Sequence, residues 1–168
     1  METQTETRIK RSLESKKFNA ATKRGIEYDT RKEREYLRQE SAKDTSLIKS
    51  QCPGDYQSNA FRNKSYIPLA GMSKVTTLAG DDYGYYLTYK SDRFGFRNPD
   101  YEWNLADSDG SVDVVFLGAS LPQGYMVKSR ESISGRLRSK NLRIISLACN
   151  SNGPLVSLAT LREYSLNM

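Results

Sequence analysis

The chain has 168 residues with 26 basic and 20 acidic side chains, a formal charge of +6 and 37% hydrophobic residues. That length supports one core-bearing domain. No apolar run approaches the about 18 residues of a membrane-spanning helix, no signal-peptide core follows Met1, and no compartment is specified.

Residues 1–50 read as a charged, helix-prone extension. Lys and Arg alternate there with Glu and Asp, the pattern of a solvated helical face rather than of a nucleic-acid footprint. A helix is predicted over Asp29–Gln39 with Asp29 as its N-cap and a narrow apolar stripe at Tyr36 and Leu37. So little apolar surface predicts few contacts between residues 1–50 and the α/β unit, and mobility of the first dozen residues. Residues 51–110 form a lead-in. Its first part, to residue 72, mixes Pro, Gly, Ser and Asn and reads as an extended arm. Val75–Leu78 and Tyr85–Tyr89 are β-rich, and Gly80–Gly84 reads as the turn of a hairpin between them. Ser91–Asp100 is turn chemistry around Phe94 and Phe96. Asp81–Asp82 and Asp107 with Asp109 lack the ligand spacing of a calcium loop and read as turn formers. Cys52 and Cys149 make no motif and read as buried free thiols.

From residue 111 the pattern becomes α/β. Val112–Leu117 reads as a strand of a parallel sheet, with Val114–Leu117 apolar on both faces. Gly118-Ala119-Ser120 follows it. Ligands of open α/β sheets bind beyond the carboxyl ends of such strands, so Ser120 stands where a nucleophile would. Gly118 permits a sharp turn, and Gly124 permits close approach of a ligand or neighbouring chain. The chain has no histidine and cannot itself supply the usual base for that serine. A helix over 129–139, capped by Ser129 and burying Ile133 and Leu137, leads to the strand Leu142–Leu147. The loop Ala148–Gly153 then feeds a helix opened by Pro154, with Leu155, Leu158, Ala159 and Leu161 on its buried side. Two parallel strands alone have bare edges, which predicts either an N-terminal fragment, the favoured reading, or a chain completed by a partner.

The run Val114-Val-Phe-Leu-Gly-Ala-Ser-Leu-Pro-Gln-Gly124 resembles the first signature block of the SGNH (GDSL-type) hydrolases, usually Gly-Asp-Ser-Phe-x-x-Gly. Upstream, Pro68–Ser73, Tyr89–Pro99 and Trp103 are similar to the lead-in of one bacterial branch. Downstream, Asn152–Leu155 and Leu158–Tyr164 are similar to the stretch after that branch's second block, so the resemblance covers about residues 20–166.

The resemblance implies a partial three-layer, flavodoxin-like parallel sheet beginning at residue 111, preceded by the helical and hairpin extension. It implies that Ser120 is the nucleophile, that its own N–H contributes to the oxyanion hole, and that the second oxyanion N–H falls on Ser151. Ala119 replaces the block's aspartate, and the family's third-block asparagine and late Asp-x-x-His lie beyond the match. The implied substrate is a small acyl ester or glycan ester, with no cofactor, no metal and no nucleic acid. Oligomeric state is not specified. A binding module or pseudoenzyme of the same fold is the alternative, favoured by Ala119, Ser151 and the missing histidine. A basic nucleic-acid or anionic-surface binder comes third, supported only by charge and eleven tyrosines.

Overall fold

The structure, a computed structural model, describes residues 4–23, 25, 27–53, 68–79, 85–109 and 111–165. It is a mixed α/β arrangement with two small sheets. Helix α1, Gln4–Lys23, is rich in the strong helix formers Lys, Arg, Glu and Ala. Helix α2, Glu33–Glu40, follows. Strand β1, Leu47–Lys49, runs parallel to β2, Thr76–Ala79, with Leu47 opposite Thr76. Strand β3, Leu87–Lys90, lies antiparallel on the other side of β2, with Thr77 opposite Tyr89. The expected hairpin pairing is therefore present, while its turn at residues 80–84 lies outside the described residues, as do Asp81 and Asp82.

Residues 1–50 engage chiefly the lead-in: their strand β1 completes the first sheet, and Ala21 is fully buried with Tyr85 and with Met126 of the α/β unit, flanked by Tyr28, Leu87 and Tyr125. One small residue on a charged helix suffices when aromatic side chains from elsewhere close over it. Helix α2 begins at Glu33 and is preceded by Lys32 rather than capped by Asp29. The Asp29 carboxylate is held instead by Arg31, at 2.5 Å, and the same guanidinium reaches Glu40 at 2.9 Å. The narrow stripe of α2 leans on Tyr86, whose ring stacks on Tyr36 at 4.1 Å and whose hydroxyl donates to Arg31 O at 2.6 Å.

The turn after β3 is organised by one buried carboxylate. Asp92 Oδ1 accepts from the Phe94 and Phe96 N–H groups, and Oδ2 accepts from Asn98 Nδ2 and Trp103 Nε1 at 2.9 and 2.8 Å. Burial pushes this carboxyl above its ordinary range, and the four hydrogen bonds pull the other way. Helix α3, Asp100–Asp109, follows and carries Trp103 into the core against Phe96, Ala106, Ile145 and Leu147. Asp107 and Asp109 thus belong to a helix, not to the expected turn.

The second sheet pairs β4, Val114–Phe116, with β5, Ile144–Ser146, in parallel and with Val114 opposite Ile144. β5 is buried throughout, whereas β4 is only half-buried and Leu117 is exposed. The expectation that Val114–Leu117 is buried on both faces therefore fails, because β4 has no further strand beside it among the described residues. The outer edge of β5 is not bare either. Ile144 N–H donates to Glu102 Oε2, Ser146 N–H donates to Asn98 Oδ1, and the Ile144 and Ser146 carbonyls accept from Arg138 and Asn98. Side chains substitute there for a neighbouring strand. A buried Arg138–Glu102 ion pair at 3.0 Å holds that cover in place.

Between the strands, a 3₁₀ turn at Ser129–Glu131 precedes α5, Ile133–Arg138. The cap of α5 is Ser132, whose Oγ accepts from Gly135 N–H at 3.0 Å, rather than Ser129. The Ser129 hydroxyl is taken by Arg97 at 3.1 Å, and Ile133 faces solvent as a result of the later start. Helix α6, Pro154–Tyr164, begins at the predicted proline. Its buried side carries Ser157 and Thr160, and Leu161 packs on the core as expected, while Leu155 and Leu158 are 82% and 48% exposed, contrary to expectation. Tyr164 anchors the helix through edge contacts with Phe94 and Phe96.

Candidate functional site

Ser120 stands at the carboxyl end of β4, four residues past Phe116, as the first residue of the short helix α4, Ser120–Gln123. The turn depends on Gly118. Its φ of +122° is closed to residues with a side chain, and a Cβ there would meet Pro122 Cγ at 3.2 Å. Ala119 occupies the N-cap position and offers no side-chain acceptor. Ser120 is half-buried. Its carbonyl accepts from Tyr125 N–H at 2.9 Å, so the backbone of the short helix is anchored at both ends.

Gly124 ends α4 in the left-handed region, and a Cβ on it would meet Ser132 Cβ at 2.6 Å. Close approach of a neighbouring segment is thus the use made of this glycine. The Gly124 carbonyl and that of Val127 accept from the Arg97 guanidinium, which is buried and lies over the Tyr89 ring at 4.7 Å. Burial lowers the pKa of Arg97 from its ordinary value. Gln123 of α4 donates to the Tyr89 hydroxyl at 3.4 Å. Arg97, Tyr89 and Gln123 therefore position the turn that bears Ser120. They follow from no local pattern; Arg97 is visible in sequence only as part of the Phe-Gly-Phe-Arg-Asn-Pro stretch.

The second loop runs beside the first. Leu147 N–H donates to Phe116 O at 2.8 Å and Cys149 N–H to Gly118 O at 3.0 Å, so the ladder continues past both strands. Ser151 lies two residues further on at the same end of the sheet, exposed, with a left-handed φ of +63°. Ser120 and Ser151 thus share the carboxyl end of two adjacent strands. Beneath Ser151, Asn152 is buried, and its amide oxygen and nitrogen meet no partner among the described residues. Such an amide is costly to leave unsatisfied, by about 1–3 kcal/mol, and suits a polar ligand atom.

A cavity of about 840 Å³ lies elsewhere. Lys74, Lys90, Arg97, Arg130 and Arg138 line it with Asp92, and neither Ser120 nor Ser151 reaches it. Its cations are partly spoken for, Arg138 by Glu102 and Arg97 by carbonyl groups. No helix among the described residues is long and apolar enough to cross a membrane. No family model matches the chain, and neither the curated proteins nor the solved structures contain a significant match to it.

Proposed function

We propose that the chain carries the nucleophile-bearing part of an SGNH-type serine esterase acting on acyl esters, glycan acetyl esters among them. The observation that supports this reading best is the strand–turn–helix at Gly118-Ala119-Ser120, which sets a serine hydroxyl at the carboxyl end of a parallel strand pair. In this reading Ser120 Oγ attacks the ester carbonyl, and the N–H groups of Ser120 and Ser151 receive the developing oxyanion. The proton of the hydroxyl needs an acceptor, and with no histidine here the imidazole comes from outside these 168 residues. A non-catalytic binding module is the second reading, supported by that same lack and by Ala119, which leaves α4 without a side-chain cap.

The test is hydrolysis of p-nitrophenyl acetate by the chain, by a longer product carrying a late histidine, and by Ser120→Ala forms of both. The 168-residue chain is expected to fall at least about 10⁴-fold below the longer form, the usual loss when a triad lacks its base. Free imidazole should raise turnover by the short chain above that of its Ser120→Ala variant. Equal activity of the longer product with and without Ser120 would remove Ser120 as nucleophile and favour the binding module.

A further inference from the structure

Cys52 and Cys149 are 97 positions apart in sequence, yet their Sγ atoms stand 2.7 Å apart and both residues are buried. We propose that this pair is an oxidisable dithiol that closes into a reversible intramolecular disulfide, joining the segment after β1 to the loop that leaves β5. A disulfide has its sulfurs about 2.05 Å apart, so closure needs well under an ångström of sulfur movement and no change of backbone course. Each cysteine sits on backbone that is already held. Cys52 lies three residues past β1, just after Ser50, whose N–H still bonds to Leu78 O, and precedes the buried Pro53; Cys149 N–H is bonded to Gly118 O.

The Ser50 hydroxyl lies 3.9 Å from Cys52 Sγ. Burial first, and then the electrostatic influence of Cys149 and Cys52, push the Tyr89 phenol up to about 12. On the face of the Tyr89 ring stands the Arg97 guanidinium, 4.7 Å from the ring centroid.

The oxidant is a small disulfide such as glutathione disulfide. One protein thiolate attacks it, forms a mixed disulfide and releases one glutathione thiol. The second protein thiolate then attacks the protein sulfur of that mixed disulfide, forms the Cys52–Cys149 bond and releases the second glutathione. Two electrons and two protons leave the protein in total, and both glutathione halves are reduced. Nothing in this sequence uses Ser120, so its outcome is independent of the esterase reading.

The experiment equilibrates the reduced, folded 168-residue chain in a series of glutathione/glutathione disulfide buffers, quenches with acid and maps alkylated peptides by mass. The expected product is a monomer lighter by two hydrogens in which the Cys52 and Cys149 peptides are joined. Its equilibrium constant of formation should exceed that of the chain in denaturant by at least about tenfold, since folding holds the sulfurs together. Closure of so long a loop should raise the melting temperature by about 10 °C, reversed by dithiothreitol. Cys52→Ser should show neither change. Two freely alkylated thiols at every buffer ratio, mixed glutathione adducts alone, or cross-linked dimers would each overturn the proposal. These readings come from the unsubstituted chain, so they stand even if a serine variant fails to fold.

Discussion

The outer edge of β5 and the carboxyl end of the same sheet are built on opposite terms. Along the edge, Asn98, Glu102 and Arg138 reach from other elements to meet the strand's amides and carbonyls, and Asp92 and Trp103 brace them from behind. At the carboxyl end, shape comes from glycine, main-chain bonds and the Arg97–Tyr89–Gln123 group beneath the turn. Gly118 turns the chain, Gly124 packs on Ser132, and Ser120, Leu121 and Ser151 are left half-buried or exposed. Side chains that pair with the strand's amides and carbonyls close that edge to further bonding, whereas the glycine-shaped turn leaves its own side chains on the surface. The difference marks where chemistry can occur on this sheet.

The strongest way to break the comparison is Asp92→Ala. It strips the acceptor from two backbone amides, Asn98 and Trp103 at once. Urea unfolding should show a loss of about 3–5 kcal/mol, near the upper end for single substitutions. A loss below about 1 kcal/mol would mean that the edge does not depend on this hub.

Gly118→Ala probes the other side. An alanine must adopt a φ of +122° and press on Pro122, so stability should fall by about 1–3 kcal/mol, with the damage confined to the Ser120 turn. Amide chemical shifts should move around residues 117–125 and stay put around Asp92. Uniform shifts across both regions would show that the turn is not separable from the edge.

Titration separates buried from exposed carboxylates. Burial raises the Asp92 pKa, whereas hydrogen bonds from the Ser46 and Thr76 hydroxyls lower that of Asp44. Carboxyl-carbon NMR should therefore find Asp44 titrating first as pH rises and Asp92 later. The signs for stability are opposite. The Asp92 contribution is full below its unfolded value of about 3.9 and is lost as pH rises through its folded pKa; that of Asp44 is present above about 3.9 and lost as pH falls through its own. The reverse order of midpoints would refute the buried environment of Asp92.

The smallest effect belongs to Lys49→Ala. Its ion pair with Glu33, at 2.8 Å, joins β1 to α2 at a site where the lysine is mostly exposed. Loss of this pair should change unfolding free energy by less than about 0.5 kcal/mol and should shrink further in high salt. A change as large as that of Asp92→Ala would erase the contrast between satisfied interior and solvated surface.

Much of the α/β core is legible in the chain itself. The apolar runs ending at Leu117 and Leu147 mark β4 and β5, Gly118 marks the turn, and Pro154 marks the start of α6, because each is a local property of strand burial, positive φ or a missing N–H. Ser120 follows from the same local logic. Asp92 was partly legible too, since a side chain accepting from amides two and four residues on is a local turn device, but its partner Trp103 and the link through Asn98 to Ser146 are not.

Tertiary contacts decided the remainder. Ser129 lost the cap of α5 to Ser132 because Arg97, far back in the chain, claims its hydroxyl. Asp29 lost the cap of α2 to a guanidinium two residues away. Leu155 and Leu158 face outward because Tyr164, held by Phe94 and Phe96, sets the rotation of α6. The meeting of Cys52 with Cys149 likewise needs β1 and β5 to be folded. By itself the sequence determined the β2–β3 pair, the strands β4 and β5, the Gly118 turn and the start of α6, since those depend on neighbours within a few residues; β1 and α3 were not among them. Which polar groups pair across the chain, and hence which edge is sealed and which end stays open, depends on distant side chains competing for the same donors and acceptors, and only the folded structure resolves that competition.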